Sequence, residues 1–514
     1  RMTAWTLSAE YRDSLLLCAL SIIFFCIFSI DTPVNGDTYA YSRCITSFRG
    51  PVIHLGYFAI GHAFYTMLKG VGCTPIQALG YMSAFFGGIS VAIMYLFVRK
   101  LTGDRFLGFL AALILMFSGA FWLFSEHGEV YVPQLCFVLL SALLIIRRMF
   151  FMASLCFLIA VSITPTSCLA LPFLLYVLWM YESGVRQLMS FVWPIAVVFA
   201  VLSVAEYSRV MAVARWAIHS PLVFFDSFSL SALAGKIVRD LAYVYGKSFN
   251  FFFFAAIYGF LRLYKLDRKQ WLMMVAICLP FSMYILNLGL LSGDHLIITF
   301  VAVAFLAAYG VGDVLGLLKI PARGGYVFMV LPVFVYSWLS FQLFIGPERR
   351  NARELNRVVQ DLSVIIPSKG ILIADYNFGM AFWALTQKED NFFLFTGRPT
   401  KFLQEQSASK DRGLERLQTR FWINAPHFPA FITENTEAQR LISDRQIYFA
   451  DLLPWPGRLV RIILPKEVLD AREKKRCLVH RLKNYLQRNL GYRAEITHAI
   501  DSPLVPVYTV RFLP

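Results

Sequence analysis

The stretch Val52-Ile-His-Leu-Gly-Tyr-Phe-Ala-Ile-Gly-His-Ala-Phe-Tyr-Thr-Met-Leu68 decides how the chain is arranged. It is one of many apolar stretches in 514 residues, of which 58% are apolar and only 16% are charged. The mean hydropathy is +0.60. Soluble globular chains carry about 25% charged residues, so this composition indicates a membrane protein. Whether residues 52–68 cross the membrane then fixes the side on which every later loop lies.

Other apolar runs are long enough for helices that cross a bilayer, which takes about 20 residues. We predict about eleven spans, at residues 14–30, 77–98, 106–124, 130–146, 149–163, 167–181, 188–205, 245–261, 270–290, 296–317 and 325–345. The uncharged stretch 149–181 is too long for one helix. Its Thr164-Pro165-Thr166 sequence predicts a break between two short helices, because proline ends a helix. The chain is therefore predicted to be an α-helical polytopic membrane protein.

The charges of the short loops place residues 52–68 on the outer surface, as an interfacial helix. With that placement the basic short loops all face the cytoplasm; they contain Arg99, Lys100, Arg105, Arg147, Arg148, Arg186, Arg262, Lys265, Arg268, Lys269, Lys319 and Arg323. The loops at 125–129, 164–166 and 291–295 face outward and contain no Lys or Arg. This distribution follows the positive-inside rule. It puts the N-terminus in the cytoplasm and the C-terminal region outside.

Residues from 346 onward differ from the rest in being rich in charged side chains. Helical periodicity occurs over 349–362, 402–420 and 466–490, and apolar runs predict strands at 370–375, 391–396, 458–464 and 505–512. Such alternation favours an α/β layer structure. We therefore predict a transmembrane domain at 1–345 and a soluble extracytoplasmic α/β domain at 346–514.

An acidic residue just after the first span is the leading catalytic candidate. Asp37 follows Gly36 and precedes aromatic residues in the first outer loop. In a dry cleft beneath the interfacial helix its carboxylate could act as a general base toward a hydroxyl, because burial raises the pKa of a carboxyl toward the working pH. The alternative is a solvated loop carboxylate that caps the following helix. From this residue alone the alternative is favoured.

The second outer loop, residues 125–129, holds three ionisable groups between two apolar spans, where such groups are costly unless paired or functional. They could bind a metal, orient a substrate hydroxyl or pair with an outer-surface arginine, whereas each alone could belong to a plain interfacial turn. A histidine before the tenth span could contact a phosphate, or it could be a structural residue at a helix start. The candidate substrate-binding residues are Arg43, Glu126, His127, Glu129 and His295.

The order of these features resembles a known family of membrane enzymes. The features are Asp37, then Gly61-His62-Ala-Phe64, Phe117-Ser-Gly-Ala-Phe-Trp122, Glu126-His-Gly-Glu-Val-Tyr131, Asp294-His295 and Ala307-Ala308-Tyr-Gly310. Over residues 10–320 this order resembles the GT-C glycosyltransferases. Within them it is most similar to the bacterial branch related to transmembrane protein O-mannosyltransferases.

The resemblance implies a glycosyltransferase of the bacterial inner membrane. It would move a sugar, with inversion, from a polyprenyl-phosphate donor to the hydroxyl of an extracytoplasmic protein, lipid or glycan. Asp37 would be the catalytic base, and membrane lipids rather than nucleic acid would be the other partners. Many members carry paired acids in the first loop, whereas this chain has Asn35 two residues before Asp37. A divalent metal is therefore left open and no ligand is assigned.

Two other functions remain as alternatives. A transporter or lipid flippase usually places ionisable residues near the midplane or shows repeated halves, whereas the predicted spans are nearly free of charge. A lipid-linked glycan polymerase or ligase would be expected to carry its large outer region between spans. In this chain the polar region follows the last span.

Overall fold

A computed structural model describes residues 9–30, 33, 36–47, 54–181, 184–205, 243–288, 295–366, 371–386, 392–396, 422–423, 447–450, 493–500 and 507–513. The chain divides into two compact units. The helical unit comprises Arg1–Ile30 and Cys44–Gly346, and the C-terminal unit comprises Asp31–Arg43 and Pro347–Pro514. The C-terminal unit thus includes a short segment from near the start of the chain.

Apolar helices joined by short loops make up the helical unit. They are α1 (Ala9–Phe28), α2 (Gly36–Ser47, shared with the C-terminal unit), α3 (Leu55–Leu68), α4 (Pro75–Thr102), α5 (Arg105–Met116), α6 (Gly119–Glu126), α7 (Tyr131–Ile146), α8 (Phe150–Ile163), α9 (Leu171–Tyr181), α10 (Val185–Ala205), α11 (Phe252–Leu266), α12 (Arg268–Leu288), α13 (Phe300–Leu317) and α14 (Ala322–Ser340). Residues 243–249 are also helical. Shorter 3₁₀ turns cover Lys69–Val71, Pro165–Ala170 and Ile297–Thr299, and a π-helical turn covers Phe341–Ile345.

Side-chain caps fix the ends of the long helix α4 and the start of α5. Thr74 and Gln77 form a capping box, in which each side chain accepts a hydrogen bond from the other residue's backbone N–H. Gly103, at φ 72°, ends α4 in the left-handed region that favours glycine. The Asp104 carboxylate then accepts hydrogen bonds from the first backbone N–H groups of α5.

Several helices are long enough to cross a bilayer. In the described part of the chain four apolar helical stretches qualify, at Ala9–Phe28, Pro75–Thr102, Ile297–Leu317 and Gly324–Ile365. Shorter apolar helices cover Tyr131–Ile146, Phe150–Ile163, Pro165–Tyr181 and Val185–Val201. The protein is a polytopic α-helical membrane protein, as predicted. The count of about eleven spans stays a prediction.

The predicted interfacial stretch at 52–68 contains the short helix α3. α3 has 14 residues, which gives a length of about 21 Å at 1.5 Å per residue. The hydrocarbon layer is about 30 Å thick. Helix α8, which lies in a predicted span, is equally short, so the interfacial position of α3 stays a prediction.

One predicted span is bent, and one predicted break is confirmed. The expected helix at 106–124 consists of α5 and α6, which meet at an angle of 64°. The Phe344 ring lies against Gly119, so closely that any side chain there would overlap it. The break at Thr164 is confirmed, since α8 ends at Ile163 and the chain continues as a 3₁₀ turn.

Charged side chains gather at one end of the helical unit. Asp13 in α1 accepts hydrogen bonds from Arg105 at the start of α5, with Nε–Oδ2 and Nη2–Oδ1 distances of 2.8 and 2.9 Å. It also accepts one from the Tyr95 hydroxyl in α4, at 2.9 Å. Arg147, after α7, lies 3.8 Å from Glu10. We call this the ion-paired end.

The ion-paired end carries loops that were predicted to be cytoplasmic. Gln270, at the start of α12, donates from Nε2 to the Leu101 carbonyl at 3.5 Å, so the loop between α11 and α12 joins the loop between α4 and α5. The Phe106 and Tyr326 rings pack edge to face at 5.1 Å, which brings in the start of α14. The loops therefore group as the topology requires. Which end faces the cytoplasm stays a prediction.

A six-stranded sheet forms the core of the described C-terminal unit. The strands are β1 (Ile371–Asp375), β2 (Phe392–Thr396), β3 (Trp422–Ile423), β4 (Ile447–Ala450), β5 (Arg493–Ile500) and β6 (Val507–Leu513). Their order is β3-β2-β1-β4-β6-β5. The first four are parallel, with Ile371 opposite both Phe392 and Ile447, and β6 runs antiparallel to β4 and β5. Helices α15 (Gly346–Ile365) and α16 (Tyr376–Thr386) flank β1 in sequence.

The C-terminal predictions are confirmed where the structure describes them. The helix at 349–362 and the strands at 370–375, 391–396 and 505–512 correspond to α15, β1, β2 and β6. The expected helices at 402–420 and 466–490 and the expected strand at 458–464 lie outside the described residues. Strands β3, β4 and β5 and helix α16 were not predicted.

Candidate functional site

The bend between α5 and α6 ends in a buried carboxylate. Glu126, the last residue of α6, is fully buried, and its Oε1 accepts a hydrogen bond from the Trp122 indole N–H. Trp122 in turn packs among aromatic rings, with centroids 4.8 Å from Phe24 and 6.2 Å from Phe341. Helix α5 begins at the ion-paired end, and the eight-residue helix α6 follows it after the bend. Glu126, at the end of α6, therefore lies at the opposite end of the helical unit.

The two residues that follow in this loop are also buried. His127 is 3% exposed and Glu129 is 1% exposed. Burial lowers the pKa of His127 from 6.5 to about 4, so its imidazole is neutral at neutral pH. Burial, together with the charge of Glu129, raises the pKa of Tyr57 in α3 well above its usual value. The loop and the predicted interfacial helix therefore interact.

His295 meets the start of α7, two residues beyond Glu129. Its ring packs edge to face on Tyr131, with centroids 5.1 Å apart, and its Nε2 lies 3.5 Å from the Tyr131 hydroxyl. The Tyr284 ring lies 5.8 Å from it on another side. The Phe124 ring connects the same Tyr131 to His127, at 6.0 and 6.2 Å. His295 and the loop at 125–129 are thus connected through Tyr131 and Phe124.

Helix α3 is joined to this region at its N-terminus. His54 Nδ1 lies 2.8 Å from the carbonyl oxygen of Ile163, the last residue of α8. Gly56 packs so closely on Ser162 that an added side chain would overlap it. The described parts of the three loops predicted to face outward, together with α3, therefore lie at one end of the helical unit. We call it the polar end.

The other two predicted site residues lie on α2, in the part that belongs to the C-terminal unit. Asp37 is in the first turn of this helix, and its side chain is exposed. The expected dry cleft beneath α3 stays a prediction. A carboxylate in the first turn of a helix is favourable because of the helix dipole, as the alternative interpretation supposes. Arg43 is half-buried in the same helix.

The fold of the chain is similar to that of known membrane proteins. ArnT from Cupriavidus metallidurans in the apo state matches with a TM-score of 0.54 and 12% identity over 98% of both chains. The same protein bound to undecaprenyl phosphate matches with a TM-score of 0.54 and 10% identity, again over 98% of both. The chain has the GT-C fold. No protein-family model and no curated protein matches its sequence.

A third structure supports the assignment of the GT-C fold. The archaeal oligosaccharyltransferase AglB from Archaeoglobus fulgidus, in complex with an inhibitory peptide and a dolichol-phosphate, matches with a TM-score of 0.50 and 11% identity. The match covers 88% of this chain and 70% of that one. At these identities the likeness describes the fold and leaves the residues of the site to be argued from the chain itself.

Within this GT-C fold, a half-buried cation was not singled out as a site residue. Lys247 lies with its Nζ 4.8 Å from the Phe344 ring and 5.7 Å from the Tyr243 ring. Among the residues that the structure describes, no carboxylate pairs with it. The signal in the sequence was a lysine inside an otherwise apolar predicted span. Nearby, the Tyr245 hydroxyl lies 2.7 Å from that of Thr299, at the start of α13.

The described residues offer no ready metal site. Across the described ranges, no three or more His, Cys, Asp or Glu side chains are grouped closely enough to hold an ion. Asp31 and Asp294, which the sequence places beside candidate residues, lie outside those ranges. Metal dependence therefore stays open.

Proposed function

We propose that the chain is an integral-membrane glycosyltransferase that uses a polyprenyl-phosphate-linked sugar as donor and an extracytoplasmic hydroxyl as acceptor. The observation that carries the proposal is the likeness of fold over 98% of the chain to a protein whose structure holds undecaprenyl phosphate. Buried ionisable residues at the polar end support it, because such groups are costly near a membrane unless they have a function. The protein would lie in a bacterial inner membrane with the polar end outside.

In this proposal Asp37 is the general base. Its carboxylate would take the proton of the acceptor hydroxyl while the hydroxyl oxygen attacks the anomeric carbon of the donor sugar. The bond from that carbon to the phosphate oxygen breaks on the opposite face, so the configuration inverts and polyprenyl phosphate leaves. Asp37 is exposed, so the lipid donor itself would have to cover the carboxylate and exclude water from it.

The leaving phosphate needs positive charge or hydrogen-bond donors. Lys247 supports this role, because its ammonium group lies against the rings of Phe344 and Tyr243 and no carboxylate among the described residues pairs with it. An anion would compensate a cation in such surroundings. His295, held against Tyr131, would donate a second hydrogen bond. Glu126, His127, Glu129 and Arg43 would orient the donor or the acceptor.

The two alternatives are weakened but remain distinct outcomes of experiment. A transporter would be expected to carry charges near the midplane, whereas the ion pairs found within the described part of the helical unit lie at one end. A lipid-linked glycan polymerase or ligase would use the same lipid chemistry, and the identity of the product would separate it from a transferase of single sugars.

The test is the conservative substitution Asp37→Asn in the full chain. We expect it to abolish sugar transfer, measured by mass spectrometry of acceptor glycans in cells, with unchanged expression and melting temperature. Asp361→Asn is the matched control, since Asp361 is also an exposed helical carboxylate of the C-terminal unit; it should transfer sugar normally. Undiminished product from Asp37→Asn would remove this residue from the catalytic role.

A second measurement tests the side of the membrane. In a cysteine-free variant, Asp37→Cys should react with a membrane-impermeant thiol reagent added from outside, and Thr102→Cys at the ion-paired end should not. The reverse pattern would put the proposed base in the cytoplasm and end the proposal for an extracytoplasmic acceptor.

A further inference from the structure

Three neutral polar side chains form a connected group at the polar end. Gln134 Nε2 donates a hydrogen bond to Thr166 Oγ1 at 3.1 Å, and the hydroxyl oxygens of Thr164 and Thr166 are 3.2 Å apart. Gln134 is 2% exposed and Thr164 is 4% exposed, while Thr166 is half-buried. We call these three residues the Gln134 group. It joins the first turn of α7 to the break between α8 and α9.

The fold does not use the full hydrogen-bonding capacity of this group. Thr164 directly precedes the 3₁₀ turn Pro165–Ala170, where threonine often caps a helix, but its side chain makes no capping hydrogen bond. The Gln134 amide has a donor end and an acceptor end. Within the described chain only one end has a partner, whichever way the amide is turned. The other end is therefore available for a hydrogen bond to a ligand.

Aromatic rings stand beside the group on the same helix face. Tyr131 lies three residues before Gln134, one turn earlier on α7, so the two side chains are neighbours. Tyr131 packs on His295, which also contacts the Tyr284 ring. Gln134 therefore follows, by one turn of α7, a tyrosine that packs against Phe124 and His295.

The chemistry of the group selects for an uncharged ligand rich in hydroxyls. An amide and two hydroxyls can donate to and accept from the hydroxyls of a sugar ring, and aromatic rings can pack on its apolar face. The group contains no cation to hold a phosphate and no carboxylate to hold a metal. We propose that the Gln134 group binds the sugar of the lipid-linked donor. This inference rests on the proposed function, and it assigns the sugar to neutral residues rather than to the acids nearby.

The test measures how much the sugar adds to lipid binding. Native mass spectrometry of the purified full chain would compare undecaprenyl phosphate with undecaprenyl phosphate carrying glucose, mannose, galactose or N-acetylglucosamine. We expect the wild type to bind at least one sugar-carrying lipid about tenfold more tightly than the bare lipid. Gln134→Leu should lose most of that preference, since one or two neutral hydrogen bonds give about this factor. Its affinity for the bare lipid should not change.

Two further variants separate binding from folding. Thr166→Val keeps the shape of the side chain but removes a hydroxyl of the group, and it should reduce the preference several-fold even if Gln134→Leu fails to fold. Ser141→Ala is the matched control, because Ser141 is a fully buried hydrogen-bonding residue of the same helix that bonds Ala153 O, away from the group. It should keep the wild-type preference.

The possible results distinguish the inference from the proposed function. An unchanged preference in Gln134→Leu and Thr166→Val, an equal loss of affinity for bare and sugar-carrying lipids, or no preference in the wild type would each overturn the role of the Gln134 group. None of these would touch the proposed lipid donor. A wild type that binds no undecaprenyl phosphate at all would instead overturn the proposed function, and the sugar site with it.

Discussion

The two ends of the helical unit handle charge in opposite ways. At the ion-paired end Asp13, Glu10 and Asp313 are partly exposed and bonded to arginines. At the polar end Glu126 and Glu129 are buried, and the bond seen for Glu126 is to a neutral indole. Partly exposed ion pairs gain little free energy, while buried carboxylates carry a large desolvation cost.

This difference indicates what each end is for. Ion pairs between helix ends hold the helices in register and balance the charge of the loops. If either partner is lost, water can solvate the other at a small cost in free energy. Buried acids and a buried histidine would be replaced by apolar residues if stability alone mattered. We therefore expect substitutions at the polar end to change function or pH response strongly, and substitutions at the ion-paired end to have small effects unless they disturb packing.

The largest effect expected is a loss of stability in acid that comes from His127. Its pKa is about 4 in the folded protein, against the ordinary value of 6.5 that applies in the unfolded chain. Between these two pH values the unfolded chain binds a proton that the folded chain does not. Its contribution to stability is complete above about pH 6.5 and is lost as the pH falls toward 4. The difference amounts to about 3 kcal/mol. Melting temperatures in detergent from pH 7 to pH 4.5 would measure it.

A variant shows whether this slope belongs to His127. His127→Gln should melt with a flatter pH dependence over that range, because the titrating group is gone, whereas Asp13→Asn at the other end should keep the wild-type slope. Equal slopes in wild type and His127→Gln would mean that the polar end does not hold a neutral imidazole.

The next effect is on activity and comes from Glu126→Gln. The glutamine carbonyl still accepts the Trp122 N–H, so the fold should persist, but the negative charge is lost. A hydrogen bond to a charged group contributes about 1.5–3 kcal/mol, so sugar transfer should fall about tenfold to a hundredfold. Glu10→Gln, which removes a carboxylate from the ion-paired end, is the control and should stay within about twofold of wild type. Full activity in Glu126→Gln would show this acid to be structural.

A packing change gives an intermediate effect at the ion-paired half of the molecule. A side chain at Gly259 in α11 would overlap the carbonyl oxygen of Leu306 in α13, and backbone cannot move aside as a side chain can. Gly259→Ala should therefore lower the free energy of unfolding by about 1–3 kcal/mol. Gly316→Ala, in the same partner helix but with open space around it, should be neutral or stabilising by about 0.4–1 kcal/mol. Equal melting temperatures would contradict this close helix contact.

The sequence predicts what local patterns determine. Continuous apolar runs mark β1 and β2, and Thr164-Pro165 marks the helix break, because each follows from neighbouring residues. The bend at Gly119 was missed because the apolar run around it is long, and the close packing of Phe344 on Gly119 joins residues that are far apart in the chain. Strand β5 was not predicted, although Arg493-Ala-Glu-Ile alternates charged and apolar residues, a pattern typical of a half-buried strand.

The candidate site divides in the same way. The clustering of polar residues in the short loops predicted to face outward could be predicted from the charge and length of those loops. The packing of His295 on Tyr131 and the hydrogen bond from Gln134 to Thr166 could not be predicted, because each joins separate parts of the chain. Asp37 shows the limit most clearly: its position after the first span was visible, whereas its exposure depends on how α2 is placed.

The smallest effect is expected from Asp13→Asn, although Asp13 accepts three hydrogen bonds. Its carboxylate bonds Arg105 twice and Tyr95 once, but Arg105 is 58% exposed, so water and salt screen the pair. The amide keeps part of the hydrogen bonding. We expect a loss of no more than about 1 kcal/mol, which shrinks further in high salt, with unchanged sugar transfer. Melting temperatures in low and high salt, with the activity assay, would measure both. A loss of sugar transfer in Asp13→Asn as large as the loss expected for Glu126→Gln would contradict this comparison. Charged residues at both ends would then contribute to activity.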